Sequence, residues 1–141
     1  MPKIIKDCWN SVHAFDCQYG AHIYDGNIAS IYVNNWLAVA EELAPLFLKH
    51  NDRGFVGHCL LVFSGVRLFE LEISQYTEEN NKIIWTDPII VAHQNSAVTE
   101  GIQSFVAGGS LHGFKSSVSI SVEARAFELH ILAANETAAG S

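Results

Sequence analysis

The 141-residue sequence predicts an α+β domain, a twisted and mostly antiparallel sheet of about six strands with two helices packed on it, in the order ββ-α-βββ(β)-α-β. Three observations carry that expectation. Between residues 66 and 86, Arg67, Phe69, Leu71 and Ile73 alternate with Val66, Leu68, Glu70, Glu72 and Ser74. Thr77-Glu78-Glu79-Asn80-Asn81 then turns the chain back into Lys82-Ile83-Ile84-Trp85-Thr86. A period of two with carboxylates on one side marks an antiparallel hairpin with one packed face and one wet, acidic face. Two further segments, 36–47 and 97–107, repeat apolar residues at intervals of three and four, the period of a helix. Finally, short apolar runs are punctuated by Asp-Gly, Ser-Gly and Asp-Pro pairs, as strands of a sheet are.

Taken in order, a first strand falls within 11–18, and a hairpin follows around Asp25-Gly26, between Ala21-His22-Ile23-Tyr24 and Asn27-Ile28-Ala29-Ser30-Ile31-Tyr32-Val33. A two-residue turn of this type calls for positive φ at both turn positions. Asn34 or Asn35 can cap the first helix, whose apolar positions are Trp36, Val39, Ala40, Leu43 and Phe47. Pro45 has no N–H to donate and its ring crowds the preceding turn, so a kink or break is expected near Ala44. Residues 57–64 form a nearly continuous apolar run, which suggests a central strand covered on both faces. Ser64-Gly65 leads into the alternating hairpin, and Asp87-Pro88 should break a ladder or sit on an edge before a short strand at 89–92. The second helix, 97–107, is capped by Asn95 or Ser96, carries Val98, Ile102, Phe105 and Val106 on one face and ends at Gly108-Gly109. In the last strand Val118, Ile120, Val122, Ala124 and Ala126 share a face, and Phe127, Leu129 and Ile131 resume it one residue out of phase. A β-bulge near Ala126 accounts for the change of frame.

A chain of this length fits one domain, 1–134, with a frayed tail of small and polar residues over 135–141. Such a domain buries about 68% of the surface its unfolded chain exposes. No apolar run exceeds five residues, and the basic start is followed by Cys8, Trp9, Asn10 and Ser11 rather than a long apolar segment, which predicts a cytoplasmic, unexported protein without a membrane span. Three cysteines, Cys8, Cys17 and Cys59, fit free thiols in a reducing compartment. Fifteen acidic against eight basic residues leave a net charge of −7, a field that repels nucleic acid and anionic membrane and attracts a basic partner.

Seven histidines invite a metal reading, yet His13, His22, His50, His58, His93, His112 and His130 show no H-x-H, H-E-x-x-H or C-x-x-C companion, so neither a metal nor another cofactor is expected. Gly108-Gly109-Ser110-Leu111-His112-Gly113 lacks the Lys-Ser/Thr of a phosphate-binding loop and the second glycine of a nucleophile elbow. Ser110 with His112 could in principle pair as nucleophile and base; the favoured reading is a flexible loop joining a helix to a strand. Two functional readings follow. In the first, a binding protein without enzymatic turnover uses the acidic hairpin and its flank: Glu70, Glu72, Glu78, Glu79 and Asp87, with Trp85 as an aromatic anchor. In the second, a ligand-binding protein or enzyme gathers His22, His93, Ser110, His112 and His130 around a pocket. A third use of the sheet is self-association, a homodimer paired edge to edge across a two-fold axis.

The strand running into Asn34-Asn35-Trp36-Leu37 at a helix start, the acidic hairpin from Leu68 to Trp85, the capped helix near Gln94 to Phe105 and the closing strand together resemble the small acidic immunity proteins that protect bacteria from toxins of contact-dependent and secretion-delivered competition. The resemblance is one of element order and charge over residues 28–131. It implies a stoichiometric inhibitor that occludes the active site of a basic toxin domain, and it leaves the histidines and the glycine-rich loop unexplained.

Overall fold

The computed structural model describes residues 3–136, and the chain there is built almost wholly of strands. They are β1 Lys3–Lys6, β2 Val12–His13, β3 Cys17–Tyr24, β4 Ile28–Asn35, β5 Ala38–Val39, β6 Lys49–His50, β7 Val56–Gly57, β8 Cys59–Ser64, β9 Leu68–Glu79, β10 Lys82–Trp85, β11 Ile89–Gln94, β12 Gln103–Leu111, β13 Ser116–Ala124 and β14 Ala126–Ile131. Ten of them form one sheet in the order β1-β14-β8-β4-β3-β12-β13-β9-β10, with β11 also paired to β9. Every neighbour is antiparallel except β3 and β12, which run parallel from Cys17 to Tyr19. Two-stranded ribbons β2–β5 and β6–β7 lie beside the sheet.

The expected α+β architecture with two helices and about six strands is therefore corrected to a nearly all-β fold around a ten-stranded mixed sheet. Both helical segments fail for visible reasons. Trp36 takes φ +68° with its N–H on Asn35 Oδ1, and Leu37 exchanges two 2.9 Å backbone hydrogen bonds with Val56. The helical start is thus replaced by a bridge. Pro45 sits in a 3-10 turn, Ala44–Leu46, and the three-four spacing is that of an irregular segment burying Leu37, Leu43 and Phe47. In the second segment Gly101 takes φ +70°, and β12 then alternates in period two, Phe105 and Ala107 inward and Val106 outward. Gly109, expected to end a helix, is the point of close approach to β3: a Cβ there would lie 2.1 Å from the Cys17 carbonyl oxygen.

The sheet is folded over one core. β8 and β12 are three steps apart in the strand order, about 14 Å in a flat sheet. Yet the rings of Phe63 and Phe105 lie 5.2 Å apart, with Trp9 edge-on to both and to Phe127. One layer holds β1, β14, β8 and β4; the other holds β12, β13, β9 and β11; β3 joins them. The change of frame after Ala124 is the crossing between these layers, not a bulge within one strand. β13 pairs with β12 and β9, whereas β14 pairs with β8 and β1, and the Arg125 N–H donates to the carbonyls of Ser64 and Gly65 at the corner. The inward faces are those the alternation predicts, Val118, Ile120, Val122 and Ala124, then Phe127, Leu129 and Ile131. The Asp25 turn forms with positive φ at Gly26 alone, while Asp25 Oδ1 accepts the N–H groups of Asn27 and Ile28. No helix of the described residues is long and apolar enough to cross a membrane. The tail expected over 135–141 lies, from residue 137 onward, outside the described residues.

Candidate binding surface

β9 is twelve residues long, and its last four residues run past the ladder with β13, which ends at Gln75. Its first six residues pair with β11 and its last four with β10, so β9, β10 and β11 form one long ribbon. The tip, Asn80-Asn81, takes φ +51° and +63°, the paired positive values of a tight two-residue turn matched to strand twist. Between β10 and β11 the register slips by one residue around Asp87-Pro88. Thr86 holds the ladder there: its N–H donates to the Gln75 carbonyl, and the Gln75 N–H donates to Thr86 Oγ1 at 3.1 Å. Proline thus sits where no ladder donor is required, as its missing N–H demands.

Cross-strand partners share a face, which places Glu70, Glu72, Ser74, Tyr76 and Glu78 of β9 on the outer side with Ala92, Ile90, Trp85 and Ile83. Trp85 is 52% exposed and leans on Tyr76 with ring centroids 4.8 Å apart. Of the twelve large apolar side chains exposed among the described residues, five lie between positions 83 and 90: Ile83, Ile84, Trp85, Ile89 and Ile90. The arm is therefore the chief uncovered apolar surface. β13 borders it with Ser119 opposite Glu72 and Ser121 opposite Glu70.

The acidic residues singled out from the sequence do lie together on this arm, but not as one uniform patch. Glu78 pairs with Lys115 at 3.5 Å, a neighbour remote in sequence. Glu79 stands opposite Lys82 on the inner face, and Asp87 occupies the break between β10 and β11. Glu70 and Glu72 remain as the adjoining carboxylates on the outer face. Sequence reasoning missed Tyr76, Ile83 and Ile90 as members of the surface, because an apolar run such as Ile83-Ile84-Trp85 reads locally as a covered strand and only the tertiary structure leaves it exposed.

The histidine-lined pocket does not assemble. His22 and His93 meet across the layers: His93 stacks on Tyr24 at 4.5 Å, and both imidazoles lie against Phe69, at 5.9 and 6.4 Å. Burial lowers the His22 pKa from its ordinary value, and repulsion from His93 adds to the effect. His112 belongs to a different group, in which the Asn34 amide donates to His112 Nδ1 and Lys49 Nζ donates to Asn34 Oδ1. Ser110 pairs with Gln18 in the parallel ladder, and His130 bonds Glu128 at 2.9 Å on β14. Among the described residues no group of three His, Cys, Asp or Glu side chains could hold a metal ion.

Compared with models of protein families, with curated proteins and with solved structures, the chain matches none.

Other concavities offer little chemistry. A cavity of about 330 Å³ is lined by Arg67, Leu68, Gln94, Ser96, Val98, Thr99 and Glu123, and its two charges are spent on each other, Arg67 Nε to Glu123 Oε1 at 3.0 Å. The buried Cys17 thiol is pushed up to about 12 by desolvation, and burial likewise raises that of Cys59, which removes both as nucleophiles near neutral pH. His58 is engaged structurally: the Tyr32 hydroxyl donates to its Nδ1 and its Nε2–H donates to the Ala133 carbonyl.

Proposed function

We propose that this is a binding protein that docks a basic protein partner on the outer face of the β9–β10–β11 arm, stoichiometrically and without turnover. The observation that carries the reading is the cluster of exposed Trp85, Ile83 and Ile90 with half-buried Tyr76 against Trp85, flanked by Glu70 and Glu72 and left uncovered by the other described residues. An aromatic–aliphatic centre with a charged border is how protein interfaces divide labour. The desolvated centre supplies affinity, and the rim supplies steering and register. A net charge of −7 gives the approach of a basic surface a favourable sign.

An immunity protein occluding a basic toxin domain is the form of this function we favour. Two of the features behind that resemblance, the helices, are strands and loops in the structure, so the reading now rests on the acidic hairpin, the charge and the exposed arm. The test is binding to the purified product of the gene adjoining this one. Trp85→Ala should weaken it tenfold or more, mainly through faster dissociation. Glu70→Lys with Glu72→Lys should slow association and flatten its salt dependence. An affinity indifferent to salt and to all three substitutions would remove the arm as the docking face.

A further inference from the structure

The arm also carries an unused edge. Backbone groups of alternate residues on an antiparallel strand point to opposite neighbours. The Tyr76 N–H donates to the Lys115 carbonyl, toward β13, while Gln75 bonds Thr86 on the other side. Odd-numbered residues of β9 therefore bond β10 and β11, in the pairs Phe69–His93, Leu71–Val91, Ile73–Ile89 and Thr77–Ile84. It follows that Ile83, Trp85, Ile90 and Ala92 turn their N–H and C=O groups away from β9, where no strand among the described residues pairs with them.

We propose that a second copy of this chain fills that edge, β11 pairing antiparallel with its counterpart across a two-fold axis at Val91, so that Ile90 of each copy exchanges hydrogen bonds with Ala92 of the other. Charge decides in favour of self-pairing. Residues 89–92, Ile-Ile-Val-Ala, carry no charge, so the strand complements itself, whereas a basic strand laid there would find no carboxylate directly opposite. Glu70 and Glu72 stand one strand behind the edge. Across the axis the two sets are three strand spacings apart, about 14 Å, beyond the screening length of about 8 Å at physiological ionic strength. Edges meant to stay single are blunted by inward charges, short strands or proline along their length. Here Pro88 lies at the end of β11 and leaves 89–94 open. The pairing also sets the two outer faces, each with Trp85 and Ile90, side by side.

Sedimentation equilibrium of the purified protein, over roughly a hundredfold range of concentration, tests this because mass action separates monomer from dimer. The expected species is a dimer of the 15.5 kDa chain that tightens as salt rises, since both copies are negative. Docking of a basic partner weakens with salt, so the two readings fail separately. Ile90→Pro and Ala92→Pro each delete a donor that the monomer fold does not use and should weaken the dimer tenfold or more while leaving its cooperative melt. Should either variant fail to fold, amide exchange of the unaltered protein decides: the Ile90 and Ala92 amides are protected at high concentration and exposed at low. A monomer throughout, a larger open-ended species, or fast exchange of both amides at every concentration overturns the proposal.

Discussion

Phe69 shows how single residues carry this fold. It is the second residue of β9, fully buried, with the rings of His22 and His93 against it, and so packs β3 against β11 at the root of the strand. Phe69→Ala removes a large side chain from a site whose neighbours belong to three strands and cannot all collapse inward. The expected cost is about 3 to 5 kcal/mol in denaturant unfolding. A loss below about 1 kcal/mol would mean that the inward face of β9 is misassigned. Glu70, one residue on, faces outward opposite Ser121 and Ala92, and Glu70→Lys should melt as the parent does. The alternation of residues 66–74 made both assignments legible, because a strand's period of two is local and needs no partner to be read.

At the scale of elements, the arm depends on its turn. Asn80 and Asn81 both hold positive φ, a conformation that asparagine tolerates and β-carbon-bearing residues otherwise resist. Asn81→Ala should therefore cost about 1 kcal/mol, while Asn81→Gly should hold or slightly raise stability. Equal melting midpoints for the alanine and glycine variants would show that the tip does not need this geometry. The two expected helices fail at the same scale for a shared reason. Intervals of three and four in 36–47 and 97–107 also arise when an irregular segment buries every third or fourth residue, and intrinsic helix preference is too weak to overrule sheet partners. The Leu37–Val56 bridge and the β12–β13 ladder win, aided by Trp36, Pro45 and Gly101, whose backbone states end helices.

The whole molecule is held by contacts between layers, and these give it a pH dependence. His22 and His93 are brought together from β3 and β11, and the His22 pKa is depressed by burial first and by His93 second. A depressed histidine is neutral in the folded chain at pH values where the unfolded chain, with a pKa of about 6.5, binds a proton. Stability is therefore full above the unfolded value and is lost as pH falls toward the lowered folded one. His22→Gln should flatten that acid limb in denaturant midpoints compared between about pH 7.5 and pH 5. An unchanged slope would assign the limb to other groups. By itself the sequence determined the net charge, the acidic hairpin, the turns at Asp25 and Asn80, and the inward faces of β9, β13 and β14, because each depends on residues adjacent along the chain. Only the tertiary structure decided that the helical segments are strands and loops, that Lys115 meets Glu78, that the histidines do not converge, and that Trp85 and its neighbours stay uncovered. Each of these depends on which distant strand lies alongside, and the order β1-β14-β8-β4-β3-β12-β13-β9 joins segments far apart in sequence whose partners no local period encodes.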